Sequence, residues 1–203
     1  MHIGLTGAPG SGKTTLAKAL QELVPDLFYV YMSRFAVRIP MTLRRTTHPN
    51  ILEYSRNKYI TAVLANQNVQ EPPFTRAEMD EYGRLVFERF GPAVIGEIAL
   101  DAVPSGRVAV FDGIATPENA KYMKRLHTYI VGLTCPFETR VQRRLANPRD
   151  IDPKEKSQLE RQLRETEEHY YTDESLRIAH VVYDTEKMRA REIAQCIIPR
   201  IKD

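Results

Sequence analysis

The residues most able to do chemistry stand at the start of the chain. Gly7-Ala8-Pro9-Gly10-Ser11-Gly12-Lys13-Thr14 carries every fixed position of the pattern G-x-x-x-x-G-K-[ST], between the apolar run Ile3-Gly4-Leu5 and a helix-forming stretch. Glycines at 7, 10 and 12 let the backbone curl so that successive N–H groups point inward, and a helix starting there adds the positive end of its dipole. Polyphosphate is the natural guest of such a cradle, here formed by Gly7 to Thr15. Lys13 can bridge β- and γ-phosphates as a point charge, and the Thr14 hydroxyl is suited to ligate Mg²⁺.

A second candidate is Asp112. It follows the apolar run Val108-Ala109-Val110-Phe111, which puts it at the carboxyl end of a strand, where open parallel sheets bind ligands. There it either holds a Mg²⁺-bound water or orients an acceptor, or it caps the next helix. Arginines form the third set. Arg34, Arg38, Arg44, Arg45 and Arg56, with Lys58, face the single acid Glu53 between residues 34 and 58. This stretch reads equally as a solvated basic surface and as an electrostatic collar for an anionic substrate. Arg140, Arg143 and Arg144 cluster where a lid would begin. Beyond them, Arg149, Arg161 and Arg164 either close over phosphates or, for the two on the helix, pair along it with Glu165 and Glu168.

The elements that must position these groups alternate between strand and helix. Leu16, Ala17, Ala19, Leu20, Leu23 and Val24 have helical spacing, and Pro25 ends the run. Phe28-Tyr29-Val30-Tyr31-Met32 reads as a second strand. Thr75 and Glu78 form a capping box for a helix whose apolar stripe is Met79, Tyr82, Leu85, Val86 and Phe90, and a second helix runs from Ala93 to Val103. Further strands are expected at Val108–Phe111, Tyr129–Leu133 and Ile178–Tyr183. Cys135-Pro136 leads into the arginine-bearing helix, and Asp152-Pro153-Lys154-Glu155 starts another. That last helix has only Leu159, Leu163 and Tyr170 on its apolar stripe, so it is expected to project from the core and move. A final helix opens at Asp184-Thr185 and carries Met188, Ile193, Ile197 and Ile198. Five strands alternating with helices predict an α/β fold: three layers around a five-stranded parallel sheet.

Composition narrows the class. The chain has 203 residues, 42% of them hydrophobic, with no repeat and no low-complexity tract, which fits a single domain over 1–203. No apolar run approaches the ~20 residues of a membrane helix, and strand-like sequence begins at residue 1, so a cytoplasmic protein with no membrane partner is expected. With 29 Lys+Arg against 26 Asp+Glu, total charge does not announce a nucleic-acid protein. Cys135 and Cys196 lie in no metal or disulfide pattern and are expected to be inert buried thiols. His2, His48, His127, His169 and His180 have no mutual ligand spacing and are expected to be bystanders.

Taken together, Gly7–Thr14, Arg84–Pro92, Val108–Gly113, Thr134–Leu145 and Ala179–Asp184 resemble P-loop kinases of the nucleoside monophosphate kinase group. Within that group the chain looks most like the dephospho-CoA-kinase-like and archaeal P-loop nucleotide kinase families. The resemblance implies a P-loop NTPase fold with an acceptor-binding helical insertion (33–75) and a lid (146–172), and it implies ATP and Mg²⁺. It implies that Arg38 grips the acceptor and that Arg144 and Arg149 contact ATP. Two departures stand out. Relatives that phosphorylate a hydroxyl often carry an aspartate just after strand two, whereas this chain reads Met32-Ser33-Arg34-Phe35. A phosphate acceptor is already anionic and needs no base, so the departure favours a nucleotide acceptor. Ala115 stands where relatives carry a nearby arginine, a contact that Arg34, Arg44 or Arg45 can replace.

The expected activity is phosphoryl transfer from ATP to a small nucleotide-like acceptor, a (deoxy)nucleoside monophosphate first. The alternative is a hydroxyl acceptor: dephospho-CoA, a nucleoside, or a modified base or sugar in nucleic acid. Nucleic acid is disfavoured because no interleaving of aromatic and basic residues marks a single-strand platform. A nucleotide-binding switch ranks last. Asn57-Lys58 is followed by Tyr59-Ile60 rather than x-Asp, which does not match a guanine reader.

Overall fold

The computed structural model describes residues 1–32, 76–147, 155–170 and 172–202. The proposed acceptor region, including Arg34, Arg38, Arg44, Arg45 and Arg56, lies outside the described residues, as do Thr75, Arg149 and the Asp152-Pro153 helix start.

The central layer is a parallel sheet of β1 (His2–Gly7), β2 (Phe28–Tyr31), β3 (Ala109–Ile114), β4 (Thr128–Thr134) and β5 (Val181–Asp184), in the order β2-β3-β1-β4-β5. Near-continuous apolar runs form β1, β3 and β4, at the centre of the sheet, because both of their faces are covered. One face packs Ile3, Leu5, Val110, Val131 and Leu133 against α1 (Lys13–Leu23) and α8 (Ala190–Ile197). On the other face, Phe111, Val30 and Ile130 meet Ala99 of α3 (Val94–Asp101) and Ala120 and Met123 of α4 (Pro117–Arg125). Burying a side chain such as Phe111 stabilises the domain by roughly 2–3 kcal/mol. The remaining helices are α2 (Arg76–Phe90), α5 (Phe137–Ala146), α6 (Lys156–His169), α7 (Thr172–Ile178) and α9 (Pro199–Lys202). Among the described residues, no helix is long and apolar enough to cross a membrane.

Several boundaries differ from the sequence expectation. β3 runs two residues past Asp112, because Asp112 pairs in register with Leu5 and Tyr31 on its two neighbours. The helix expected from Asp184-Thr185 begins at Ala190 and is followed by the short α9. Asp184 Oδ1 accepts the Glu186 amide, which holds the chain in a turn, and Glu192 Oε2 accepts the Arg189 amide at 2.7 Å where the helix starts. Helix α4, the helix that follows Asp112, starts at Thr116-Pro117, where Thr116 accepts the Asn119 amide and Pro117 occupies the first turn. Helix α7 has no counterpart in the sequence expectation. Phe90 is 49% exposed while Tyr82 and Val86 are buried, so the stripe of α2 ends a turn early.

The thin stripe of α6 is buried after all. Leu159 and Leu163 pack on Val141 of α5, flanked by Phe137 and Leu145, so α6 docks on its neighbour instead of projecting. The thiols also depart from expectation, since Cys135 is half-buried and Cys196 exposed. The buried stripe of α8 is Ile193, Ala194 and Ile197, and position 196 falls beside it. The bystander histidines at 2 and 180 do structural work at the amino edge of the sheet. His2 Nδ1 accepts the Ala109 amide at 3.1 Å, and His180 Nδ1 accepts the Ile130 amide at 2.9 Å while stacking on Tyr129. Burial lowers the pKa of both imidazoles, helped by the terminal ammonium at His2 and by Lys124 at His180.

Candidate active site

β1 sits at the middle of the sheet with β3 on one side and β4 on the other, so its trailing loop opens at the carboxyl edge. Residues 7–12 form that loop, and Gly12 caps α1 in the left-handed region. The loop depends on glycine at two positions in particular. A Cβ on Gly7 would lie 2.2 Å from the Leu133 carbonyl oxygen, and Gly10, at φ +81°, would place one 3.0 Å from Arg140 Cβ. The close approach of loop to sheet and to α5 thus leaves no room for a side chain.

Within the loop, Lys13 Nζ donates to the carbonyls of Gly7 and Ala8 at 2.6 and 2.9 Å. The lysine is therefore held over the loop it would serve. Thr14 Oγ1 donates to Asp112 Oδ2 at 2.7 Å, joining the first turn of α1 to β3. Asp112 is 1% exposed and receives a second hydroxyl donor, Tyr29 Oη, at 2.8 Å on the same oxygen. Thr116, not Asp112, caps the following helix.

These groups border a cavity of about 750 Å³, within the range of small-molecule sites. Pro9, Gly10, Gly12, Lys13, Thr14 and Thr15 form its loop wall, with Asp112 and Tyr31 beside them. Gly7, Ala8 and Ser11 of the loop do not line the cavity, and the buried Ser11 hydroxyl has no partner among the described residues. Arg144 is buried and lines the cavity. So does Arg143, which donates to the Thr185 hydroxyl and carbonyl, both at 2.9 Å, and fixes the turn after β5. Met188, Ala190 and Ile193 make that end of the cavity apolar.

Two of the arginines considered for phosphate closure are placed elsewhere. Arg161 sits 4.0 Å from Glu165 on the exposed side of α6, and Arg164 lies over the Phe137 ring with its guanidinium 4.0 Å from the centroid. Helical i,i+4 spacing satisfies the first and an aromatic face the second. Arg140, which the sequence presents only as one of three clustered arginines, is the most enclosed of them. It donates to the Cys135 and Pro9 carbonyls and forms a two-pronged pair with Glu167 at 2.5 and 3.2 Å, tying α6 to the loop. Its neighbours on α5 gave no way to single it out, because its partners come from residues 9 and 167.

The residues present suit a phosphate and a divalent cation. Thr14 and Asp112 are hard oxygen donors beside an amide-lined loop, and among the described residues no cluster of three His, Cys, Asp or Glu side chains offers a competing site. Mg²⁺ takes only one or two protein ligands of this kind and fills its shell from phosphate and water.

Sheet order, loop and cavity define a three-layer P-loop α/β protein. A family profile described as an AAA domain matches residues 3–172, and the chain belongs to that family. No curated protein matches it. Among solved structures, the fold is similar to the shikimate kinase from Acinetobacter baumannii in complex with shikimate, with TM-score 0.52 and 18% identity over 99% of this chain and 92% of that one. It is similar to a shikimate kinase from Bacteroides thetaiotaomicron, with TM-score 0.52 and 16% identity over 100% and 96%. TT1252 from Thermus thermophilus gives TM-score 0.54 and 18% identity over 98% and 96%. At such identities the shared property is the fold of P-loop kinases.

Proposed function

We propose that this protein is a kinase that moves the γ-phosphoryl group of ATP, with Mg²⁺, to a small nucleotide-like acceptor, a nucleoside monophosphate in the first instance. One observation supports this above others: Thr14 and Asp112, far apart in sequence, meet at 2.7 Å beside Lys13 at the mouth of the phosphate loop. In this reading the amides of the loop bind the β-phosphate, and Lys13 exchanges its carbonyl partners for β- and γ-oxygens, which are stronger acceptors. Thr14 and Asp112 would hold Mg²⁺, which when bound neutralises charge on the β- and γ-phosphates. Arg144, which lines the cavity, is assigned to stabilise charge on the transferring group, and Arg149 is assigned the same role by resemblance. Arg143, braced by Thr185, lines the cavity beside its apolar residues, where the base of the nucleotide would sit. Arg34, Arg38, Arg44 and Arg45 are assigned to the acceptor. The α6 helix, with the rest of the lid segment, would exclude water and so suppress ATP hydrolysis.

A hydroxyl acceptor is the second reading, favoured by the shikimate complex among the proteins sharing this fold. The two readings are separated by ADP release from ATP and Mg²⁺ across a panel of nucleoside monophosphates, nucleosides, dephospho-CoA, shikimate and short nucleic acids. Response to a monophosphate supports the first. Response only to a hydroxyl compound replaces it with the second and makes Asp112 the base. In either case Lys13→Ala is expected to abolish transfer with the fold intact, and full residual activity would remove the loop from the mechanism.

A further inference from the structure

The Asp112 carboxylate has a partner that neither the loop motif nor the expected chemistry calls for. Tyr29 pairs with Val110 across β2 and β3, and Tyr31 pairs with Asp112, so Tyr29 lies diagonal to Asp112 on the same face of the sheet. A tyrosine is long enough to cross that diagonal, and its hydroxyl donates to Oδ2 at 2.8 Å. Thr14 donates to the same oxygen at 2.7 Å. Among the described residues Oδ1 accepts no hydrogen bond, and Asp112 borders the cavity. Two donors on one oxygen restrain the carboxylate's rotation and leave the other oxygen uncommitted among the described residues.

A carboxylate that is 1% exposed needs such donors, because an under-solvated ion costs free energy and reorients to find partners. If Thr14 were the sole donor, one hydroxyl would have to orient the acid and also offer its lone pairs to a cation. Tyr29 comes from a different element, β2, and holds the acid independently of α1. We propose that Tyr29 is a positioning residue that presets Asp112 for the nucleotide-bound divalent cation. The proposal rests on the reading of this cavity as an ATP and Mg²⁺ site.

The test is calorimetric titration of a non-hydrolysable ATP analogue, with Mg²⁺ and with EDTA, into wild type and Tyr29→Phe, with folding checked by circular dichroism. In wild type Mg²⁺ is expected to tighten binding. In Tyr29→Phe that tightening is expected to fall by about tenfold, the scale of a hydrogen bond to a charged group, with the EDTA affinity unchanged. Equal tightening in the two proteins, even with a lowered melting temperature in the variant, overturns the proposal and leaves Tyr29 a purely structural partner. If Tyr29→Phe does not fold, Tyr29→Met, which fills the space without a hydroxyl donor, is titrated in its place. Reduced tightening there supports the role, and tightening equal to wild type overturns it. A wild type indifferent to Mg²⁺ overturns the cation reading itself, a failure visible before any variant is compared.

Discussion

Glu167→Gln tests how α6 is held to the phosphate loop. Arg140 has a side chain only 6% exposed, against 28% for Glu167, and the pair meets at 2.5 Å. Glutamine keeps the shape and one acceptor but removes the charge and turns an amide donor toward the guanidinium. Breaking a fully buried pair costs about 3–5 kcal/mol, chiefly because a charge is left uncompensated. Here Glu167 is partly solvated, and the Pro9 and Cys135 carbonyls still accept from Arg140, so about 2 kcal/mol is expected. For a domain of this size that corresponds to a fall in melting temperature of roughly 4–8 °C. Scanning calorimetry of the nucleotide-free protein reads it directly, and Arg140→Met, alone and combined with Glu167→Gln, completes a double-mutant cycle. A coupling energy near zero, or a Glu167→Gln midpoint within a degree of wild type, would refute the claim that this pair anchors the helix.

Other consequences follow from particular contacts. Gly10→Ala must force a side chain into a left-handed backbone and against Arg140 Cβ, and is expected to lose at least about 1–2 kcal/mol and most nucleotide affinity; unaltered binding of ADP would contradict the loop geometry. The pKa of His2 is lowered from 6.5 by burial and by the terminal ammonium, so the unfolded chain takes up a proton first. Its contribution to stability is therefore complete above about pH 6.5 and declines as pH falls toward the folded value. His2→Asn, whose amide oxygen can accept the Ala109 amide without titrating, should flatten denaturant midpoints between pH 7.5 and 5.5; an unchanged slope would acquit His2. Cys196 should react with a disulfide reagent in the native protein, and Cys196→Ser should remove the faster phase of labelling.

Local patterns carried a large part of this protein. The phosphate loop was legible because its chemistry is contiguous: glycines, lysine and threonine within eight positions, flanked by an apolar strand and an amphipathic helix. Asp112 was legible because a continuous apolar run ending in an acid marks the carboxyl edge of a buried strand. Boundaries proved weaker where a side chain competes for the backbone, as Asp184 does when it turns the chain ahead of α8.

What only the tertiary structure decided is pairing across distance. Sequence spacing placed Tyr29 on a strand and Arg140 on a helix but could not say that one reaches Asp112 or that the other joins Pro9 to Glu167. Those meetings depend on the sheet order β2-β3-β1-β4-β5 and on the register that sets Tyr31 beside Asp112. The physical reason is that periodicity reports which face of an element is buried, whereas a hydrogen bond between elements requires their relative positions. The same limit made α6 look unanchored, since the surface that covers Leu159 and Leu163 belongs to another helix.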